Sequence, residues 1–295
     1  MLNQKTIKRP VTLSGVGLHS GERARVTICP APAGTGIVFL SGGARVRAVC
    51  DSVGDTSYAT SLLEDGVRIG TVEHILAALA GLLVDNAYIE TDGGEVPILD
   101  GSAWPFVKAI KEAGLSVQGM PRRYMKVVKD VTVHDGDKSA SILPSPVSTI
   151  TSRIDFDNPL VSDQSLSMEY NAASFERELA PARTFGFFRD AEMLRQAGLA
   201  RGASLENAVV IGEDGILNHE GLRFPDEFVR HKMLDMIGDL SLTGFPIIGH
   251  FVADKPGHAL NHRLVRELLA RPDCWIMVEG HPAEEAEATM AEAVR

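Results

Sequence analysis

The sequence predicts an α+β fold of two domains, and three observations point to it. Residues 1–120 read as short strands followed by helices, and residues 124–280 run in the same order. Neither stretch keeps the steady strand–helix alternation of a parallel α/β sheet. Between them, at "SVQGMPRRYM" (residues 116–125), regular patterning stops, and Gly119, Met120 and Pro121 suggest a boundary. Residues 281–295 form an Ala/Glu-rich tail, read as a solvated helix or a frayed end. No residue-level internal repeat relates the two halves.

In the first half, "ARVTICPA" alternates as a half-buried strand, "GIVFLSG" is a compact apolar run, and "GVRIGT" leads into the next element. The period then changes. "TVEHILAALAGLLV" carries apolar residues at helical spacing, with Thr71 as its expected N-cap. "NAYIETDG" returns to a strand, and "GSAWPFVKAIKEAG" reads as a helix closed by Gly114. In the second half, "MKVVKDVTVHD", "KSASILP" and "STITSRIDF" read as strands. "DAEMLRQAG" and residues 226–243 read as helices, and residues 246–271 as strand, loop and helix.

The chain has 295 residues, a formal net charge of −10 and a hydrophobic fraction of 44%. An acidic chain repels polyphosphate at long range, which argues against nucleic acid as a partner. Its three cysteines, Cys29, Cys50 and Cys274, include no CxxC, so a reducing compartment is expected and a thiolate metal cluster is not. "MLNQKTIKRP" lacks a signal-peptide core, and the most apolar window, "ILAALAGLLV", is about half the ~20 residues that span a bilayer. A cytoplasmic protein is the expectation. No Gly-rich phosphate loop is present to support ATP or NAD.

"VRHKMLDMIGD" places His231, Asp235 and Asp239 at intervals of four, on one side of a helix. Imidazole and carboxylate are both zinc ligands, and a catalytic zinc takes three protein ligands. His231 with Asp235 or Asp239 supplies two. "TVEHILAAL" offers the third in His74, with Glu73 beside it able to accept a proton from water. His258, after a Pro-Gly turn in a loop, is a candidate general acid, and His19 sits in the glycine turn "GVGLHSGE". A surface His–Asp pair, or a satisfied buried one, is the ordinary explanation of each cluster alone.

Taken in order, "GVGLHSG", "TVEHILAALAG", "EVPILDGSAWPFV", "ARTFGFFRD", "NHEGLRF", "DEFVRHKMLDMIGDL" and "GHALN" resemble the UDP-3-O-acyl-N-acetylglucosamine deacetylases, zinc enzymes of lipid A synthesis in Gram-negative bacteria. The resemblance runs from about residue 3 to about residue 275. It implies one Zn²⁺ per chain, held by His74, His231 and Asp235, a ligand type that also accepts ferrous iron. It implies Glu73 as general base, His258 as general acid, Asp239 as the partner of His258, and Thr184 as the hydroxyl that stabilises the oxyanion. Lys232, Phe185, Lys138 and His19 match substrate-binding positions. The implied fold is two similar sheet-and-helix halves with small insertions and the active site in the cleft between them. The second insertion, residues 186–208, would line an acyl-chain passage with Phe187, Phe188, Met193, Leu194 and Leu199. A monomer acting on a small-molecule substrate is expected, with at most transient contact with the inner membrane surface. A rival reading is a non-catalytic α+β protein that uses zinc for stability and binds nucleotide sugars.

Two departures stand out. "RGAS" carries Ala203 where the family commonly has a second glycine, which bears on acyl chain length. Tyr58 and Ala59 occupy the place where other members often carry a cysteine near the metal.

Overall fold

The computed structural model describes residues 2–279, so the Ala/Glu-rich tail lies outside the described residues. The first half opens with β1 (Asn3–Ile7), β2 (Val11–Val16), β3 (Arg23–Pro30), β4 (Ile37–Ser41) and β5 (Ala44–Arg47). A hairpin of β6 (Leu62–Glu64) and β7 (Val67–Ile69) follows, then α1 (Glu73–Gly81), β8 (Ala87–Thr91), α2 (Trp104–Ala113) and β9 (Leu115–Pro121). The second half runs β10 (Arg123–Val127), β11 (Val131–Asp135), β12 (Lys138–Leu143), β13 (Thr149–Ile154), β14 (Gln164–Glu169) and the one-turn α3 (Ala172–Ser174). It continues with β15 (Phe185–Phe187), α4 (Ala191–Gln196), β16 (Val209–Ile211), α5 (Glu227–Leu240), β17 (Ile247–Ile248), β18 (His250–Asp254), α6 (His258–Ala270) and β19 (Trp275–Glu279).

Each half is built on a five-stranded sheet, ordered β2-β3-β8-β4-β5 in the first and β11-β12-β18-β13-β14 in the second. Numbered within its own sheet, each order is first, second, fifth, third, fourth. In both, the only parallel pair joins third to fifth: β4 with β8, and β13 with β18. A helix precedes the fifth strand and another follows it, supplying the crossover that a parallel pair needs. The expected pair of similar α+β halves is therefore present as topology, although no residue repeat announces it.

Two helices meet where the halves join. Every residue of α1 except Ala80 is buried, and α5 leaves only Arg230 and Lys232 partly accessible. Helix α1 is mainly apolar, as a helix inside a core must be, and α5 packs against it there. Gly238 of α5 makes this approach close. A Cβ at that position would lie 2.2 Å from the carbonyl oxygen of Glu73, so only glycine lets the two backbones touch. One continuous apolar core runs from Ile7 and Phe39 through α1 and α5 to Val265 and Leu268.

Several local expectations need correction. Residues 115–121 do not lose regular structure: β9 pairs antiparallel with β1, and the chain then buries Arg122, whose guanidinium binds both oxygens of Asp85 at 2.8 and 2.7 Å. "MKVVKDVTVHD" is not one strand. It breaks after Val127, sending β10 and β11 into different sheets. Thr71 does not cap α1. Its φ is +57°, and its hydroxyl donates to Glu95 Oε1 (2.8 Å). Gly114 does close α2, with φ +74° and its N–H on the carbonyls of Ile110 and Lys111.

Candidate functional site

Helix α5 carries His231, Asp235 and Asp239 along one buried flank, as the four-residue spacing requires, and α1 begins at Glu73 and His74 against it. One donor atom from each of His74, His231 and Asp235 lies within 4.8 Å of the others. Asp235 Oδ1 is 3.3 Å from His231 Nε2 and 3.6 Å from His74 Nε2. Asp239 is not in this cluster and turns to His258.

The donor chemistry fits a cation. His231 Nδ1 is 3.0 Å from the Ala182 carbonyl oxygen, which can only accept, so Nδ1 carries the hydrogen. Burial pushes the imidazole down to about 3 despite Asp235, so it is neutral and its Nε2 presents a lone pair to the carboxylate. Asp235 Oδ1 is itself buried without a hydrogen-bond donor among the described residues. Converging lone pairs without a proton between them are what a metal ion satisfies, and a carbonyl behind a ligating imidazole is the usual means of fixing its tautomer. Asp235 remains an anion. Burial opposes its charge, but the Lys232 ammonium, 2.8 Å from Oδ2, holds the carboxyl well below the usual range. Lys232 is held above its ordinary value in return, because Asp235 overcomes the effect of burial.

Glu73 and His258 flank the cluster. His258 Nε2 lies 3.9 Å from Glu73 Oε1 and 4.0 Å from Asp235 Oδ2. Burial raises the Glu73 carboxyl above its ordinary value, with His258 and His74 moderating the shift. His258 is buried and is the first residue of α6, not an exposed loop histidine. Burial and a helix N-terminus both disfavour an imidazolium. Asp239 wins: its Oδ2, 2.9 Å from His258 Nδ1, pushes the ring up to about 9.

Four further residues complete this arrangement, and sequence reasoning missed all of them. Asn261 donates to Asp239 Oδ2 (2.9 Å). Thr60 reaches Asp239 with its hydroxyl and Glu73 with its N–H. Arg183 and Glu227 form a buried ion pair (2.8 Å) beside Ala182, the residue that orients His231. Only Gly238 left a readable sign, since a glycine inside an apolar helix costs about 1 kcal/mol against alanine and implies a close approach.

The other expected site residues fall around this centre at differing distances. Phe185 packs by its edge near His231 (6.4 Å between centroids), and the Lys232 ammonium lies 5.6 Å from its ring centre. Thr184 precedes it, held through its N–H to the Gly101 carbonyl and through its own carbonyl to Val209 N–H. His19 receives the Ala200 N–H at Nδ1 (3.4 Å), so Nε2 carries its hydrogen, buried and without a partner among the described residues. The His19 and Ser20 amides rest on Glu95 at 2.9 Å each. Lys138 is exposed at the start of β12. Its neighbour Asp137 pairs with Lys255 (2.6 Å), three residues before His258.

A cavity of about 570 Å³ is lined by His19, Tyr58, Arg68, Glu95, Leu199 and Arg201 among others, and by none of Glu73, His74, His231, Asp235 or His258. It lies between the first half and the insertion, where Arg201 and Gly202 donate to the carbonyls of His19 and Leu18. A Cβ on Gly202 would meet Gly17 O at 2.2 Å, so the first position of the expected glycine pair admits no side chain, while Ala203 occupies the second. The insertion leaves from β15 and returns to β16, which pair in parallel, and it carries α4 between them. Helix α4 has no buried residue, and Phe188 and Met193 are 63% and 56% exposed, so they are not the inner side of a packed helix.

Comparison with known proteins agrees with this geometry. Residues 4–270 match the family model described as UDP-3-O-acyl N-acetylglycosamine deacetylase. A relative from Myxococcus xanthus (strain DK1622), named UDP-3-O-acyl-N-acetylglucosamine deacetylase, is 52% identical over 96% of this chain and 91% of its own length. Proteins of the same name from Citrifermentans bemidjiense and Pseudomonas entomophila (strain L48) are 50% and 48% identical, over 96% and 94% of this chain and 94% of their own lengths. On this likeness, which spans nearly the whole sequence, the chain belongs to the UDP-3-O-acyl N-acetylglycosamine deacetylase family.

Proposed function

We propose that this protein hydrolyses the N-acetyl group of UDP-3-O-acyl-N-acetylglucosamine to the free amine and acetate, in lipid A biosynthesis, with one zinc ion held by His74, His231 and Asp235. The observation that carries the reading is the buried convergence of those three residues, with Glu73 and His258 at its rim, in a chain of this family.

Bound zinc supplies a Lewis acid that polarises the amide carbonyl and lowers the pKa of water. Glu73 accepts the proton of the attacking water at Oε1, because the Thr60 N–H occupies Oε2 (3.0 Å). The Thr184 hydroxyl donates to the carbonyl oxygen as it becomes negative, a contribution of about 2.7–4 kcal/mol for one such donor. His258, charged through Asp239, delivers its Nε2 proton to the departing nitrogen. Lys232, Phe185, Lys138 and His19 bind the nucleotide sugar, and the insertion of residues 186–208 takes the acyl chain. Such remote contacts speed the reaction only where they align the reacting atoms.

The domains span residues 1–120 and 124–280, and the cleft between them holds the site. The enzyme works in the cytoplasm as a monomer. Contact with the inner membrane surface is at most transient. Among the described residues no helix is long and apolar enough to cross a membrane.

Glu73→Ala tests the reading. Metal content stays at one per chain while turnover of the acylated nucleotide sugar falls by at least ~10²-fold, the lower end of general-base effects. Undiminished turnover would exclude Glu73 as the base. Lost metal would point to the purely stabilising role of the rival reading.

A further inference from the structure

One residue touches both members of the acid–base pair. Thr60 is 1% exposed and sits in the loop before β6. Its N–H donates to Glu73 Oε2 (3.0 Å), and its carbonyl accepts from Val72 N–H (3.1 Å), bracketing the entry to α1. Its hydroxyl lies 2.5 Å from Asp239 Oδ1 and 3.3 Å from His258 Nδ1. A carboxylate only accepts, so the hydroxyl hydrogen goes to Asp239 and an oxygen lone pair faces His258.

We propose that Thr60 is a positioning residue for the reaction, fixing the base with its backbone and the acid with its side chain. This rests on the assignment of Glu73 and His258 given above. With Oε2 of Glu73 occupied, Oε1 is left facing His258 Nε2. With Oδ1 of Asp239 occupied, Oδ2 is presented to His258 Nδ1, and Asn261 steadies it from the other side. The two functions belong to different atoms, so they separate experimentally. Valine in place of Thr60 keeps volume and N–H and removes only the hydroxyl. Among the described residues no hydrogen bond joins Thr60 to His74, His231 or Asp235, so the metal site is left alone.

The test uses the zinc-loaded full chain, with Thr60→Val and Thr60→Ser each made in the native and His258→Ala backgrounds, alongside Glu73→Ala. Thr60→Val keeps its metal content and KM and loses about tenfold or more in kcat, the size expected for a hydrogen bond to a charged group. Thr60→Ser, which restores the hydroxyl, recovers most of that loss. In His258→Ala the valine change removes less than about a further twofold, because residues acting as one unit are not additive. A purely structural role predicts the same proportional loss in both backgrounds, and that result overturns the proposal. So does native kcat in Thr60→Val, or a serine that restores nothing. If Glu73→Ala and His258→Ala are crippled while Thr60→Val is not, this proposal alone falls. If both of those variants turn over normally, the acid–base assignment falls and Thr60 with it.

Discussion

His258 shows how one side chain's surroundings decide its charge. Its ring is buried at a helix N-terminus, yet Asp239 pushes it up to about 9. The metal-free protein then makes a pH prediction whose sign follows from linkage. The unfolded chain releases this proton near pH 6.5 and the folded protein holds it to about 9, so the stabilisation is complete below 6.5 and is lost as pH rises through 9. Its size is on the order of 2–4 kcal/mol. Melting temperatures of metal-free native protein and His258→Gln, taken from pH 6 to 10, should converge as pH rises. Parallel curves would show that His258 carries no such charge. The spacing of His231, Asp235 and Asp239 was readable because helical geometry fixes which residues share a face. That Asp235 joins the cluster with His74 and His231 while Asp239 turns to His258 was not, since it depends on α6, about twenty residues further along.

At the level of elements, the site depends on how closely α1 and α5 approach, because they carry His74 on one side and His231 and Asp235 on the other. Gly238→Ala adds a methyl 2.2 Å from the Glu73 carbonyl oxygen. Overpacking of this kind costs about 1–3 kcal/mol, which outweighs the gain of about 1 kcal/mol in helix propensity. The expected outcome is a lower melting temperature together with weaker metal binding in chelator competition. A variant as stable as the native protein with unchanged metal affinity would mean the helices can part without disturbing the ligands. Helices were legible where apolar spacing is strong, as in α1, α2 and α5. Strands such as β9 and β15 were not, because both are short or glycine-interrupted and owe their pairing to distant partners, β1 and β16. Thr71 failed as a cap for a related reason: Glu95, twenty-four residues away, offers its hydroxyl a stronger acceptor than the helix end offers a donor.

Across the whole molecule, two sheets of the same strand order place their helices face to face, and the three residues that could hold a metal come from both halves. The doubling of topology has no counterpart in residue repeats, because a sheet order is kept by apolar pattern and connection length, which many sequences satisfy. The family was legible because its motifs cluster at the helix junction and its supports: "TVEH" opens α1, "ARTFGF" supplies the carbonyl behind His231, and "DEFVRHKMLDMIGDL" is α5 itself. What no motif shows is the set of contacts between them, such as Thr60 with Asp239 or Arg183 with Glu227. The central claim is a single metal gripped by residues from the two halves. It is tested most directly by elemental analysis of the purified protein beside His74→Ala and His231→Ala. One metal per native chain, lost from each variant while the fold persists by circular dichroism, is the predicted result. Full metal content in either variant would contradict it.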